Sequence, residues 1–254
     1  MSDAWLVSPW FLDVSEPGLR AAAPREAAVN PAKPHAESPE GLAPLHRAIA
    51  DFVHLALAGG QRPIAFTGDC MAAIPALSGV HRAGLDPTLV WIDAHGDFNT
   101  PETSPSGALV GMPLAMMTGR GPQGYCEGDT PIRLEDRKIV LVDVRDLDPG
   151  EADLVVEARL PVFSMAAFGT LTIEGPVHVH FDPDVICAEE APGFRFPAPG
   201  GPTVEETCTA LARFAAANDI RSISLGGWTP ALDPDRRTEA AVRAAFQALT
   251  GSLT

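Results

Sequence analysis

An α/β fold, with a parallel sheet covered on both faces by helices, is expected for this chain on three grounds. Short apolar runs alternate with segments of helical spacing, the pattern of strand–helix–strand units. The strands read as short, near-continuous apolar runs, as strands buried on both faces do. Polar clusters follow several of these runs, at the carboxyl ends of strands where this architecture forms its ligand sites. The chain has 254 residues, 46% of them hydrophobic, enough to bury one sizeable core, and a single domain over 1–254 is expected.

Residues 5–13 read as a first strand with Pro9 near its middle. Residues 15–45, rich in Pro and Ala with little periodicity, read as a loop-rich surface segment. Leu45, Ile49, Phe52, Val53 and Leu57 recur at helical spacing, and Gly59-Gly60 ends that helix. Pro63-Ile64-Ala65-Phe66 is a buried strand running into Gly68-Asp69-Cys70, with a helix over Met71 to Leu77. Leu89-Val90-Trp91-Ile92 is a strand whose end carries Asp93. Ile139 to Val142 is another, ending at Asp143-Val144-Arg145-Asp146, and Val177 to Phe181 a third, delivering Asp182. A helix is expected over 204–217, a strand over 222–225 and a last helix over 238–249. There is no internal repeat and no coiled-coil heptad.

The formal net charge is -15 and the pI about 4.7, which argues against a nucleic-acid surface. Four cysteines (Cys70, Cys126, Cys187, Cys208) show no CxxC or framework spacing, so reduced thiols are expected. The first residues lack a basic flank and a long apolar run, and no stretch approaches the length of a membrane span. A cytoplasmic protein acting on a small molecule, without nucleic-acid or membrane partners, is the expectation.

Two clusters carry the chemistry. Asp93-Ala94-His95-Gly96-Asp97 and His180-Phe181-Asp182-Pro183-Asp184 each space acidic or imidazole groups by two. At strand ends, alternate side chains point the same way, so these groups converge. Four carboxylates and an imidazole in one pocket repel one another unless cations sit between them. Oxygen-rich ligation with a nitrogen or two suits Mn²⁺ or a similar divalent ion, and a bridging carboxylate suits a pair. The alternative is a set of solvated loop carboxylates.

Gly68-Asp69-Cys70, Asp93 through Pro101, and Phe181-Asp182-Pro183-Asp184 resemble, in order, the three metal motifs of the arginase/ureohydrolase family, which includes arginase, agmatinase and formimidoylglutamase. Arg145 through Glu151 resembles the segment with which arginases hold the substrate's α-amino group, and Pro192 to Gly201 the Pro- and Gly-rich loop after the third motif. The resemblance covers most of the chain from about residue 60 onward. It implies a three-layer αβα sandwich with a central, mainly parallel sheet and two Mn²⁺ per chain. It further implies metal ligands Cys70, Asp93, His95, Asp97, Asp182 and Asp184, with Asp93 and Asp182 bridging. The resemblance also implies a metal-bridging hydroxide attacking a guanidino or amidino carbon, and a homo-oligomer, a trimer or hexamer. Asn99 and Ser106 match family positions near the substrate carboxylate, and Asp148 and Glu151 those near its ammonium group.

The departures from the family are specific. Position 70 is Cys where most members have a metal-binding His, which favours softer ions and leaves open Zn²⁺ or a single metal. The branch that hydrolyses Nω-hydroxyarginine resembles this chain in having that Cys, and in the run Gly96 through Thr103. Val110 replaces a catalytic histidine, Gly227 replaces the glutamate that pairs with the guanidinium, and Phe196 replaces a small hydroxyl residue. Cys70 is either a ligand or a small buried hydrophobe. His180, facing as Asp182 does, is either a proton shuttle standing in for the missing histidine or a core histidine hydrogen-bonded beside the site, and His178 is structural. Asp148 and Glu151 either clamp an ammonium group or mark a helix N-terminus. Trp228 either stacks on a cationic substrate or packs. His35, His46, His54 and His81 have no partner in the motifs. The expected function is metal-dependent hydrolysis of a non-peptide C–N bond in a guanidino, hydroxyguanidino or amidino compound. The alternative is a catalytically silent homologue serving as a metal-binding or assembly subunit.

Overall fold

A computed structural model describes residues 1–126 and 131–251. In chain order its strands and helices are β1 (Asp3–Ser8), β2 (Trp10–Phe11), β3 (Val14–Ser15), α1 (Gly18–Ala22), β4 (Ala28–Val29), α2 (Pro39–Ala58), β5 (Arg62–Thr67), α3 (Ala73–Arg82) and β6 (Thr88–Ile92). The second half adds α4 (Pro113–Met117), β7 (Ile139–Val142), α5 (Pro149–Glu157), β8 (Val162–Phe163), α6 (Met165–Phe168), β9 (Pro176–Phe181), α7 (Val204–Ala217), β10 (Asp219–Leu225) and α8 (Arg237–Thr250). Eight strands form one sheet in the order β4-β1-β5-β10-β9-β6-β7-β8, every pair parallel. The three-layer αβα sandwich with a central parallel sheet is the observed fold.

Alternation along the strands sorts the two layers. From β6, Val90 and Ile92 join the cluster built with Phe168, Phe214, Val242 and Phe246 of α6, α7 and α8. Leu89 and Trp91 point the other way, into a cluster with Ile74 and Leu77 of α3 and Leu114 of α4. Leu6 of β1 and Ala65 of β5 pack on that same side against Ile49 and Val53 of α2. Among the described residues, no helix is long and apolar enough to cross a membrane.

The N-terminal fifth departs from the sequence expectation. The first strand stops at Ser8, because Pro9 has no N–H for the ladder. Beyond Pro9 the chain forms a separate antiparallel hairpin, Trp10–Phe11 with Val14–Ser15, turned by Leu12 at φ 49. The loop-rich segment ends at Pro39 rather than Leu45. Ser38 caps α2 by accepting from the Gly41 N–H at 3.1 Å, and Pro39 sits in the first turn, where its missing N–H costs no bond. α1 and the edge strand β4 also lie within that segment.

Candidate metal centre

β6 and β9 are neighbours in register, Ile92 opposite Phe181, so the residues just past their ends emerge side by side. The Asp182 N–H donates to the Ile92 carbonyl at 2.8 Å, and the Asp93 N–H to the Val142 carbonyl at 3.2 Å. Each cluster also closes on itself. The His95 N–H donates to Asp93 Oδ1 at 2.7 Å and the Asp184 N–H to Asp182 Oδ1 at 2.9 Å. Asp184 Oδ1 in turn accepts from the Ala94 N–H at 3.2 Å, tying the second and third motifs together. Asp97 is held at φ 48, and its carbonyl accepts from the Leu114 and Ala115 N–H groups of α4. Asp tolerates that left-handed conformation better than most residues.

Cys70 reaches the centre across the end of β10, where Gly226 and Gly227 leave room. A Cβ on Gly226 would lie 2.8 Å from Asp182 Oδ2. The Cys70 thiol donates to Asp182 Oδ2 at 3.0 Å and stands 3.9 Å from Asp93 Oδ2. Asp69 beside it accepts from the Leu12 and Met71 N–H groups at 2.7 and 2.9 Å, fixing the first motif against the N-terminal hairpin. His95 Nδ1 lies 2.9 Å from Asp184 Oδ2 and 3.5 Å from Asp93 Oδ1.

Burial and crowding of like charges favour the protonated forms of the acids in this cluster. Burial first, then the Asp184 charge, raises Asp93 and Asp182 well above the usual carboxylate range. Burial, then Asp93, does the same to Asp97. Burial, then Asp182, pushes the Cys70 thiol up. Burial opposes charge on His95, but hydrogen bonds to Asp184 and Asp93 outweigh it and push it up to about 12. A divalent cation favours the ionised forms of all these acids and needs His95 neutral. Two donor groups have the spacing for an ion, Cys70 with Asp93 and His180, and Asp93 with His95 and Asp184, with Asp93 common to both. The Asp97 Oδ2 atom is buried with no hydrogen-bond partner, an orphan that a cation satisfies. The residues present therefore fit a pair of divalent ions.

These groups line a cavity of about 260 Å³ together with Asn99, Ser106, Asp148 and Glu151. Asn99 Nδ2 donates to Asp148 Oδ2 at 3.0 Å, and Ser106 accepts from the Ala108 N–H at the exposed mouth. Glu151 is committed to the backbone: it accepts from Phe98 N–H at 2.8 Å and from Asp148 N–H at 3.2 Å, as the acid of a helix-capping pair. Burial raises its pKa. His180 lies beneath the cavity, fully buried and stacked on Trp91 at 3.9 Å between centroids. Trp228 packs in the core, stacked on Phe66.

Val110, Gly227 and Phe196 also line the cavity, so all three positions singled out in the sequence face the candidate centre. Phe194 and Arg195 join them from within the 192–201 loop, and Phe11 without any motif to announce it. Arg195 pairs with Glu16 and lies over the Phe11 ring at 4.4 Å, joining the 192–201 loop to the N-terminal hairpin. That contact links residues far apart in sequence, and no sequence signal joins them.

The sequence profile described as the arginase family matches residues 22–251. The chain belongs to the arginase family. An arginase of Staphylococcus aureus is 31% identical over 201 residues, covering 73% of this chain and 66% of that protein. This chain thus spans just under two thirds of that relative. An arginase of Bacillus caldovelox is 30% identical over 227 residues, covering 84% of this chain and 76% of the relative. The solved structure of B. caldovelox arginase superposes with a TM-score of 0.83 at 26% identity, over 99% of both chains. A formimidoylglutamase from Bacillus subtilis shares the fold, with a TM-score of 0.74 at 16% identity. Within the arginase fold, the ligand clusters occupy the strand ends of β6 and β9 and the turn after β5.

Proposed function

We propose that this arginase-family chain is a metal-dependent hydrolase of a non-peptide C–N bond, with a hydroxyguanidino or amidino amino acid as substrate rather than arginine itself. The observation that carries the reading is the convergence of Cys70, Asp93, His95, Asp97, Asp182 and Asp184 on one cavity whose wall holds the Asn99–Asp148 pair. A bound pair of divalent ions, Mn²⁺ by family resemblance, makes water acidic enough to be a nucleophile near neutral pH. The chain's own residues do the rest. Asp148, oriented by Asn99, accepts from a substrate ammonium group, and the Ser106 hydroxyl faces a carboxylate at the mouth. Phe194, Phe196 and Val110 make the adjoining wall apolar, which strengthens the electrostatic contacts to the substrate. Asp97, a carboxylate lining the same cavity, takes the proton of the attacking water on the oxygen not given to the ion and returns it to the leaving nitrogen as the C–N bond breaks.

The distal end decides the substrate. A Cβ at position 227 would lie 2.6 Å from the Thr67 carbonyl, so no acid can stand there to pair with a guanidinium. N-hydroxylation makes a guanidine less basic, and such a group needs that carboxylate less. This matches the resemblance to the Nω-hydroxyarginine-hydrolysing branch. A cytoplasmic homo-oligomer is the setting we assign to it. The test is turnover by metal-replete protein of arginine, Nω-hydroxyarginine, agmatine and formiminoglutamate. Hydrolysis of a hydroxyguanidino or amidino compound, with arginine the poorer substrate, is expected. Inertness toward all four overturns the reading and leaves the silent homologue that Val110 and Gly227 favour.

A further inference from the structure

His180 is fully buried, yet its Nε2 atom has no hydrogen-bond partner. Its other nitrogen, Nδ1, is 2.8 Å from Ser224 Oγ on β10. The same hydroxyl lies 3.0 Å from His178 Nε2, and His178 Nδ1 lies 2.6 Å from Ser222 Oγ. One proton arrangement satisfies every other atom of this chain of four. His178 Nδ1–H donates to Ser222, the Ser224 hydroxyl donates to His178 Nε2, and His180 Nδ1–H donates to Ser224. It leaves His180 Nε2 as a bare lone pair. The reverse arrangement leaves a buried N–H with nothing to accept it, which is the costlier orphan. One ligand atom each of Cys70, Asp93 and His180 lie within 4.8 Å of one another, and with Nδ1 engaged by Ser224, Nε2 is the ring nitrogen left free for a ligand.

We infer that His180 Nε2 is a metal ligand, forming with Cys70 and Asp93 a nitrogen–sulfur–oxygen site that differs in kind from the site of Asp93, His95 and Asp184. The inference rests on the proposed metal centre. The imidazole that most of the family places at position 70 is delivered here from β9, two residues before Asp182, while the thiolate fills position 70. Ser224 fixes the ring's tautomer and orientation, the part played by the second-nitrogen hydrogen bond of most metal-bound histidines. Stacking on Trp91 locks the ring plane. A thiolate–imidazole–carboxylate set favours a borderline-soft ion such as Zn²⁺ or Co²⁺, whereas the two-carboxylate site with His95 suits Mn²⁺.

The test uses metal-free full-length protein titrated with Co²⁺, monitored by the thiolate-to-cobalt charge-transfer band and by calorimetry. In the wild type one ion should carry the thiolate band, and proton NMR should show a slowly exchanging, paramagnetically shifted imidazole N–H from the buried Nδ1 of His180. His180→Gln should weaken the thiolate-bearing ion by at least about tenfold and leave the other unchanged. Ser224→Ala, which keeps the ring but frees its tautomer, should weaken the same ion by about 10–100-fold. If His180→Gln misfolds, the wild-type NMR signal and Ser224→Ala decide. Two ions bound with unchanged affinities in both variants, or no shifted N–H in the wild type, overturns the role of His180 alone. Wild-type protein that binds no ion overturns the metal centre itself.

Discussion

Gly227 is the residue on which the proposed choice of substrate turns. Its neighbours are the Thr67 carbonyl and the Gly68 Cα, so the space for a side chain is filled by backbone, which cannot swing aside. Restoring an acid by Gly227→Glu should therefore lower stability by about 1–3 kcal/mol, the usual result of overpacking a closed site, without creating arginase activity. Urea melts and an arginine assay check both halves; a stable variant that turns over arginine would show that the lost glutamate is only a missing side chain. Phe196 is legible as a departure because it stands inside the 192–201 loop. The contact between Arg195 and Phe11 is not legible, since what brings them together is the packing of the hairpin on the 192–201 loop. Glu151 illustrates a different limit. Its sequence position admits both an ammonium clamp and a helix N-terminus, and both its oxygens are occupied by backbone N–H groups.

The elements that deliver the ligands are the most legible. β7 and α7 have the spans their apolar periodicity predicts, and β6 and β9 differ by one residue at their starts. The three strands lie where a short, mainly apolar run is bounded by a turn signal, and α7 where apolar residues recur at helical spacing. The N-terminal elements are obscured by prolines. Pro39 and Pro44 look like breakers, yet both fall within α2. The hairpin β2–β3 is held to the first motif by Asp69, whose carboxylate spans Leu12 and Met71. Asp69→Ala should cost about 1–3 kcal/mol for each buried N–H left unpaired, and should loosen binding of the ion at Cys70. An unchanged melting curve with unchanged metal affinity would remove Asp69 from that role. On α2, burial lowers His46 from 6.5 to about 4. The folded state then binds fewer protons than the unfolded chain between those values, so the stability that depends on a neutral His46 is complete above pH 6.5 and falls away toward about 4. The stability difference between wild type and His46→Gln should narrow by at most about 1.4 kcal/mol per pH unit in that window. A pH-independent difference would contradict it.

At the scale of the molecule, the parallel sheet gathers charge at one end that the core cannot neutralise. Asp93, Asp97 and Asp182 are buried at the carboxyl ends of the strands, and burial and mutual repulsion hold their pKa values up until a cation arrives. Metal binding and folding are thus linked: ions that bind only the native state stabilise it, by about 2.7 kcal/mol at a hundredfold excess over Kd. The architecture is legible from strand–helix alternation and from three motifs in family order, whereas the donor set of the Cys70 site depends on a histidine whose free nitrogen only the folded packing reveals. The most direct test of the binuclear centre is elemental analysis of protein purified without chelators and then reloaded. The predicted result is two divalent ions per chain; saturation below two, or none retained at all, would contradict it.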